Sequence, residues 1–145
     1  MEPTFETPEL AAMAGFPAMY CRVAASYRDG DEAYVVVDTG SGGHPYLYGV
    51  SVARQDGGWV EGTSGNGPGW TLTDRDRGLG TAHLWGEAPA GADRVRVTFR
   101  GETREAPVAR GVYLVAWCRV PDGDDSPRVD AFHVGGRWVT GRPAF

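Results

Sequence analysis

From Tyr20 onward, apolar and polar positions alternate with a period of two, the spacing of half-buried strands rather than helices. Cys21, Val23, Ala25 and Tyr27 alternate with Arg22, Ala24 and Ser26. Asp29-Gly30 then supplies turn chemistry, since both central residues of a type I′ turn need positive φ, and an apolar run over 33–37 before Asp38 completes a first hairpin. A third strand is predicted over 46–54. Asp56-Gly57-Gly58 turns it into a fourth around Trp59, Val60 and Glu61. The glycine-rich stretch 62–69 contains Pro68 and is expected to be a loop that interrupts all regular pairing. Beyond it, 70–73 is extended and 80–87 reads as a strand, with Ala82 and Leu84 opposite Thr81, His83 and Trp85.

Residues 94–100 carry the cleanest alternation: Val95, Val97 and Phe99 point to one side, Arg94, Arg96, Thr98 and Arg100 to the other, so one face is buried and one is wet. Gly101 turns the chain back through 103–108. The run 111–120 is apolar at nearly every position, which suits a central strand covered on both faces. An acidic loop at 122–125 leads to a strand over 128–134, and Gly135-Gly136 is a hairpin signal before Arg137-Trp138-Val139. Ahead of all these strands, 7–13 holds helix formers with Thr7 as N-cap, Pro8 in the first helical position and Glu9 in the first turn, ending near Gly15 and Pro17.

About nine or ten short strands with frequent turns imply an all-β fold, an antiparallel β-sandwich or a partly closed barrel, with a short N-terminal helix. The 145 residues are expected to form a single β-rich domain, with the helical segment 1–19 packed on it. Neither a linker nor a repeat stands out. Gly57-Gly58-Trp59-Val60 and Gly135-Gly136-Arg137-Trp138-Val139 form only a short echo.

Composition narrows the picture. With 22 Gly and 10 Pro the chain cannot be a helical bundle or coiled coil, and it lacks the period of collagen. A net charge of -5 leaves no basic field for a nucleic-acid backbone, so no nucleic-acid partner is expected. All 14 basic residues are arginine, and isoleucine is also absent, a pattern that reads as the codon bias of a GC-rich bacterial genome. Without lysine there is no Schiff-base chemistry, no lysine base and no Walker-type phosphate loop. The apolar stretch 10–20 follows Glu2, Glu6 and Glu9, the wrong flank for a secretory leader, and no run approaches a membrane span. A cytoplasmic protein with no membrane partner is expected, with Cys21 and Cys118 reduced and buried; had an export leader been removed, a bridge between them would be the alternative.

The candidate chemistry gathers around 59–76. In a ligand loop, glycines would let backbone amides approach an anion or sugar while Trp59 or Trp70 supplies a stacking face; in the alternative, the tryptophans pack in the core. In Asp74-Arg75-Asp76-Arg77 two carboxylates two apart would share a side of an extended chain, able to hold a cation or divide acid and base roles, unless the segment is a solvated turn with internal ion pairs. Trp59, Asn66, Trp70, Asp74, Arg75 and Asp76 are therefore the candidate ligand-binding residues. Asp122, Asp124 and Asp125 lack the twelve-residue calcium loop and read as a hairpin tip. His44, His83 and His133 fit no metal spacing, and the latter two read as core-edge residues hydrogen-bonded to backbone. Cys118 and Ser64 lack a nucleophile's setting, and a carboxylate pair for glycoside hydrolysis is open. No motif requires a cofactor or metal, and no residue is assigned a catalytic role.

Two stretches, 46–70 and 84–138, look familiar. Trp85-Gly86-Glu87-Ala88-Pro89-Ala90-Gly91, then Val95-Arg96-Val97, then Gly111-Val112-Tyr113-Leu114-Val115-Ala116-Trp117 resembles small immunoglobulin-like β-domains in uncharacterised proteins of high-GC Gram-positive bacteria. The resemblance spans about half the chain, includes no catalytic motif and implies a sandwich without implying an activity. The antibody-type cysteine and tryptophan spacing is missing. Three functions fit these residues. A module binding a protein partner accords with the sparse catalytic groups and abundant Tyr, Trp and Arg; the alternatives are a small-ligand or carbohydrate-binding sandwich and a carboxylate-based hydrolase.

Overall fold

The computed structural model describes residues 4–16, 21–40, 46–65, 69–74 and 76–140, in which the chain builds one short helix, eleven strands and three open antiparallel sheets. It folds as two compact units, Met1–Gly67 and Pro68–Phe145. Among the described residues no helix is long and apolar enough to cross a membrane.

In the first unit, helix α1 (Pro8–Met13) begins where expected: Thr7 Oγ1 accepts the Leu10 N–H at 3.1 Å, and Pro8 occupies the first turn, where no N–H partner is needed. Strands β1 (Arg22–Asp29), β2 (Glu32–Asp38), β3 (Leu47–Gln55) and β4 (Gly58–Gly65) pair in chain order as a meander. One sheet face carries Val35, Val37, Val50, Val52 and Trp59, which pack with Ala11 and Ala12 of the helix. Those alanines let α1 lie close to the sheet. On the opposite face Tyr34, Val36 and Ser51 are buried too, which explains why β2 is apolar along most of its length.

Two local expectations change. Asp29 pairs with Glu32, so the first turn is Gly30-Asp31 rather than Asp29-Gly30, and of the two only Gly30 is left-handed, at φ 61°. The stretch 62–69 does not interrupt all pairing, because β4 runs on to Gly65 and pairs Ser64 with Val50 and Gly65 with Gly49. An edge strand needs only one ladder neighbour, and Gly62 suits the close approach of β3: a Cβ there would lie 2.9 Å from Ser51 Oγ.

The second unit holds β5 (Gly69–Asp74), β6 (Leu79–Glu87), β7 (Ala92–Phe99), β8 (Glu102–Pro107), β9 (Val112–Pro121), β10 (Arg128–Val134) and β11 (Arg137–Thr140). A three-stranded sheet of order β5-β6-β9 and a four-stranded sheet of order β11-β10-β7-β8 share a core. Ala82, Tyr113, Val115 and Trp117 from the first pack with Val95, Val97 and Phe99 from the second. This is the antiparallel sandwich, and since neither sheet closes on itself the barrel alternative falls. Strand β9 is buried from Val112 to Cys118 as its composition requires, but it is not central: it stands at the end of its sheet, next to β6. Packing covers the other margin, where Arg104 Nη1 of β8 donates to the Ala116 carbonyl.

The Tyr34 ring lies over Gly49, where a Cβ would fall 2.1 Å from the phenol oxygen. Gly49→Ala should therefore cost about 2 kcal/mol through overpacking. Gly57→Ala, in open space at φ 84°, should cost about 1 kcal/mol from backbone strain alone. Urea unfolding of the two variants would check the order, and equal losses would show that β2 and β3 can move apart.

Candidate functional site

Two of the six residues singled out by sequence, Asn66 and Arg75, lie outside the described residues, as does His44. Trp59 is 1% exposed, so the packed-core alternative is the one found. Its backbone exchanges hydrogen bonds with Phe5 at 2.8 and 2.9 Å, and the guanidinium groups of Arg28 and Arg54 lie 4.8 and 5.2 Å from its ring centroid. Trp70 is half-buried and engaged: its indole N–H donates to the Asp125 carbonyl at 2.6 Å, its ring packs on Phe99, and Arg100 sits 5.0 Å from its centroid. Asp74 accepts the Arg77 N–H at 3.2 Å and faces its guanidinium at 3.7 Å, the internal ion pair of a turn. Asp76 is exposed on that same turn.

The acidic tip at 122–125 is also held from within. Arg100 Nε and Nη2 grip the two Asp125 carboxylate oxygens at 2.8 and 2.9 Å, and Nη1 donates to the Pro121 carbonyl. Arg100 does this from φ 50°, in the Arg100-Gly101 turn of the β7–β8 hairpin. Its guanidinium holds the Asp125 carboxyl below the ordinary carboxylate range.

Functional groups that sequence reasoning did not assemble meet on the outer face of the β11-β10-β7-β8 sheet. The β7–β10 register slips twice. His133 pairs with Arg94 but Val134 pairs with Ala92, leaving Asp93 as an extra residue on β7. Val129 pairs with Val97 but Ala131 pairs with Arg96, leaving Asp130 as an extra residue on β10. Bulges re-aim side chains, and both aspartates reach this face. Asp93 Oδ1 is 2.7 Å from His133 Nδ1, and Asp130 accepts the Thr98 hydroxyl, which also contacts Thr103 at 2.9 Å.

Around these pairs stands a flat cluster. Trp138, directly across from His133, meets the imidazole edge-on with centroids 5.2 Å apart, and the Arg96 guanidinium lies 4.0 Å from the Trp138 centroid. Glu105 of β8 stands 3.9 Å from Arg96. The hydrogen bond from His133 holds the Asp93 carboxyl below its usual range. The 94–100 alternation predicts a wet face, and here it is; His133, expected to bond to backbone, is partnered instead by a side chain delivered by a bulge. Asp93 sits inside an ordinary-looking strand, so no local pattern announced it.

Among the described residues no group of three His, Cys, Asp or Glu is placed to hold an ion. Cys21 and Cys118 are free thiols. The chain matches no family model, no curated protein and no solved structure.

His83 is the other histidine with a distinct environment. It is 3% exposed on β6, fully buried rather than at a core edge, and burial pushes its pKa down from 6.5 to about 4. The unfolded chain therefore takes up a proton as pH falls below 6.5 while the folded chain does not, so stability declines from pH 6.5 to about 4. The full loss is about 3 kcal/mol. The carboxylates of Asp93 and Asp125, held low, release their stabilisation only when the pH drops below their ordinary range. Denaturant titrations of wild type and His83→Gln at stepped pH should show the decline between 6.5 and 4 in the wild type alone; an unchanged slope in the variant would assign it elsewhere.

Proposed function

We propose that this protein is a protein-interaction module that docks its partner on the outer face of the β11-β10-β7-β8 sheet. One observation carries the reading: Trp138, Arg96 and His133 form a pre-assembled cluster on a sheet face directed away from the sandwich core, with His133 braced by Asp93. Tryptophan and arginine are the residues that dominate binding energy at interfaces, and side chains already fixed by neighbours lose less freedom on docking. The likeness to small immunoglobulin-like domains fits this use of a sandwich without adding a residue to it.

Carbohydrate recognition by the 59–76 region is less well supported, because Trp59 belongs to the core and Arg100 already lies against Trp70. Hydrolysis is the second reading, favoured by the Asp93–His133 pair, since a carboxylate bonded to Nδ1 orients an imidazole for general-base work. Among the described residues no hydroxyl or thiol is bonded to that histidine, and the base would have to act on water.

A quantitative pull-down from host lysate should enrich one protein with the wild type and with Asp76→Ala. Arg96→Ala and Trp138→Ala should each reduce that enrichment about tenfold or more, with melting temperatures showing that the variants fold. Retention by both face variants, or loss with Asp76→Ala instead, would overturn the assignment of the face.

A further inference from the structure

We propose that Arg28 and Arg54 form a seat for a phosphoryl dianion over Trp59, in the first unit and independent of the docking face. Trp59 is 1% exposed and packed in the core, and the guanidinium carbons of Arg28 and Arg54, both exposed residues, lie 4.8 and 5.2 Å from its ring centroid. The sheet register brings them together. Arg28 of β1 pairs with Ala33, Ala33 pairs with Val52, and Arg54, two residues along β3 from Val52, pairs with Trp59. Ala33 is small, so the long β1 side chain can cross above it toward the ring. A guanidinium lying on an aromatic ring keeps N–H edges for donation, and its planar fork matches phosphate oxygens two at a time.

Charge sets this pair apart. Arg96, Arg100 and Arg104 also lie against aromatic rings, and each meets a carboxylate: Glu105, Asp125 and Glu102 in turn. Among the described residues neither Arg28 nor Arg54 forms an ion pair. The Arg28 side chain donates through Nε to the Gly30 carbonyl at 3.3 Å, which leaves both Nη groups for a ligand. Asp29 adjoins Arg28, and Glu32, its partner across the ladder, adjoins Ala33, so strand alternation assigns both acids to the opposite face. Asp31 and Asp56 stand in the turns at this end, and Glu6 and Glu9 follow the Phe5 bridge to Trp59; none of the four reaches either guanidinium within ion-pair distance. Two like charges are thus held against one ring with no carboxylate to offset their repulsion, and an anion that bridges them removes it. A carboxylate brings one charge to this task, whereas a phosphate monoester is close to doubly charged at pH 7 and has three oxygens to share. The chain's net charge of -5 gives no long-range attraction for an anion, so binding depends on the two short-range contacts and weakens with salt.

The test is an NMR titration of the full chain, reading the Nε–H signals of Arg28 and Arg54 and the indole N–H of Trp59. Three probes are compared at equal ionic strength: N-acetyl-phosphoserine amide, inorganic phosphate, and N-acetyl-glutamate amide. Saturable shifts with phosphoserine amide are expected, weakened about tenfold in Arg28→Gln and in Arg54→Gln, unchanged in Arg110→Gln, an exposed arginine of the β8–β9 turn, and absent with glutamate amide. Tighter binding of phosphoserine amide than of inorganic phosphate assigns the site to a phosphate ester, and equal binding assigns it to the free ion; either result supports the two-arginine seat. No saturable shift with either phosphoryl probe, equal binding of glutamate amide, an unchanged affinity in both Gln variants, or shifts confined to Trp138 and His133 would each overturn it. Melting temperatures show whether the variants fold, and the comparison among probes is made on the wild type and stands whatever their stability.

Discussion

An antiparallel ladder accommodates an extra residue only by pushing it out of register, and in the β7–β10 pairing the two residues pushed out are both aspartates. Asp93 and Asp130 do not displace the apolar side chains of the inner face: Val95, Val97 and Phe99 stay buried, and the acids emerge on the other side. The character of the outer face follows from that division. Asp93 sets the ring of His133, His133 and Arg96 set Trp138, and Asp130 ties Thr98 and, through it, Thr103 of β8. A regular ladder with the same composition would have aimed Asp93 toward the interior, where a carboxylate is costly to bury.

The same residues show what sequence can and cannot convey. Alternation over 94–100 revealed the inner and outer faces of β7 because period-two patterning is local, and the Gly135-Gly136 turn revealed the β10–β11 hairpin because its two left-handed residues, at φ 59° and 82°, suit glycine. Helix α1 was legible from Thr7 and Pro8 for the same reason. Asp93 and His133 are forty residues apart and meet only because β7 and β10 are neighbours with a slipped register. No local signal encodes that neighbourhood. Burial on both faces of β9 was visible in its composition, whereas its place at the end of a sheet was not, since burial by packing and burial between ladder neighbours leave the same apolar run.

The tryptophans make the point from the other direction. Trp59 and Trp70 drew attention because they flank a glycine-rich stretch, yet both have structural work. Trp59 closes the core of the first unit under two arginines, and Trp70 holds the 122–125 tip through the Asp125 carbonyl. Trp138, which sequence treated only as part of a short echo of Trp59, lies on an exposed sheet face instead. Equivalent local motifs therefore place one ring in a core and the other at the surface, and the difference is which face of which sheet each strand joins.

The meander of the first unit has a consequence for how the chain acquires its structure. Its four strands pair with their immediate successors, two of the three connections being short turns at Gly30-Asp31 and Asp56-Gly57 and the third running from Asp38 to Leu47, so its contacts are close in sequence and its loop-closure cost is small. The sandwich is wired differently: β6 must find β9 and β7 must find β10, with two strands between the members of each pair. On loop-closure cost alone, the N-terminal sheet is the half expected to form sooner and the sandwich the half expected to form later. The face carrying Trp138 exists only once β10 has closed onto β7, so its assembly waits on a non-local pairing.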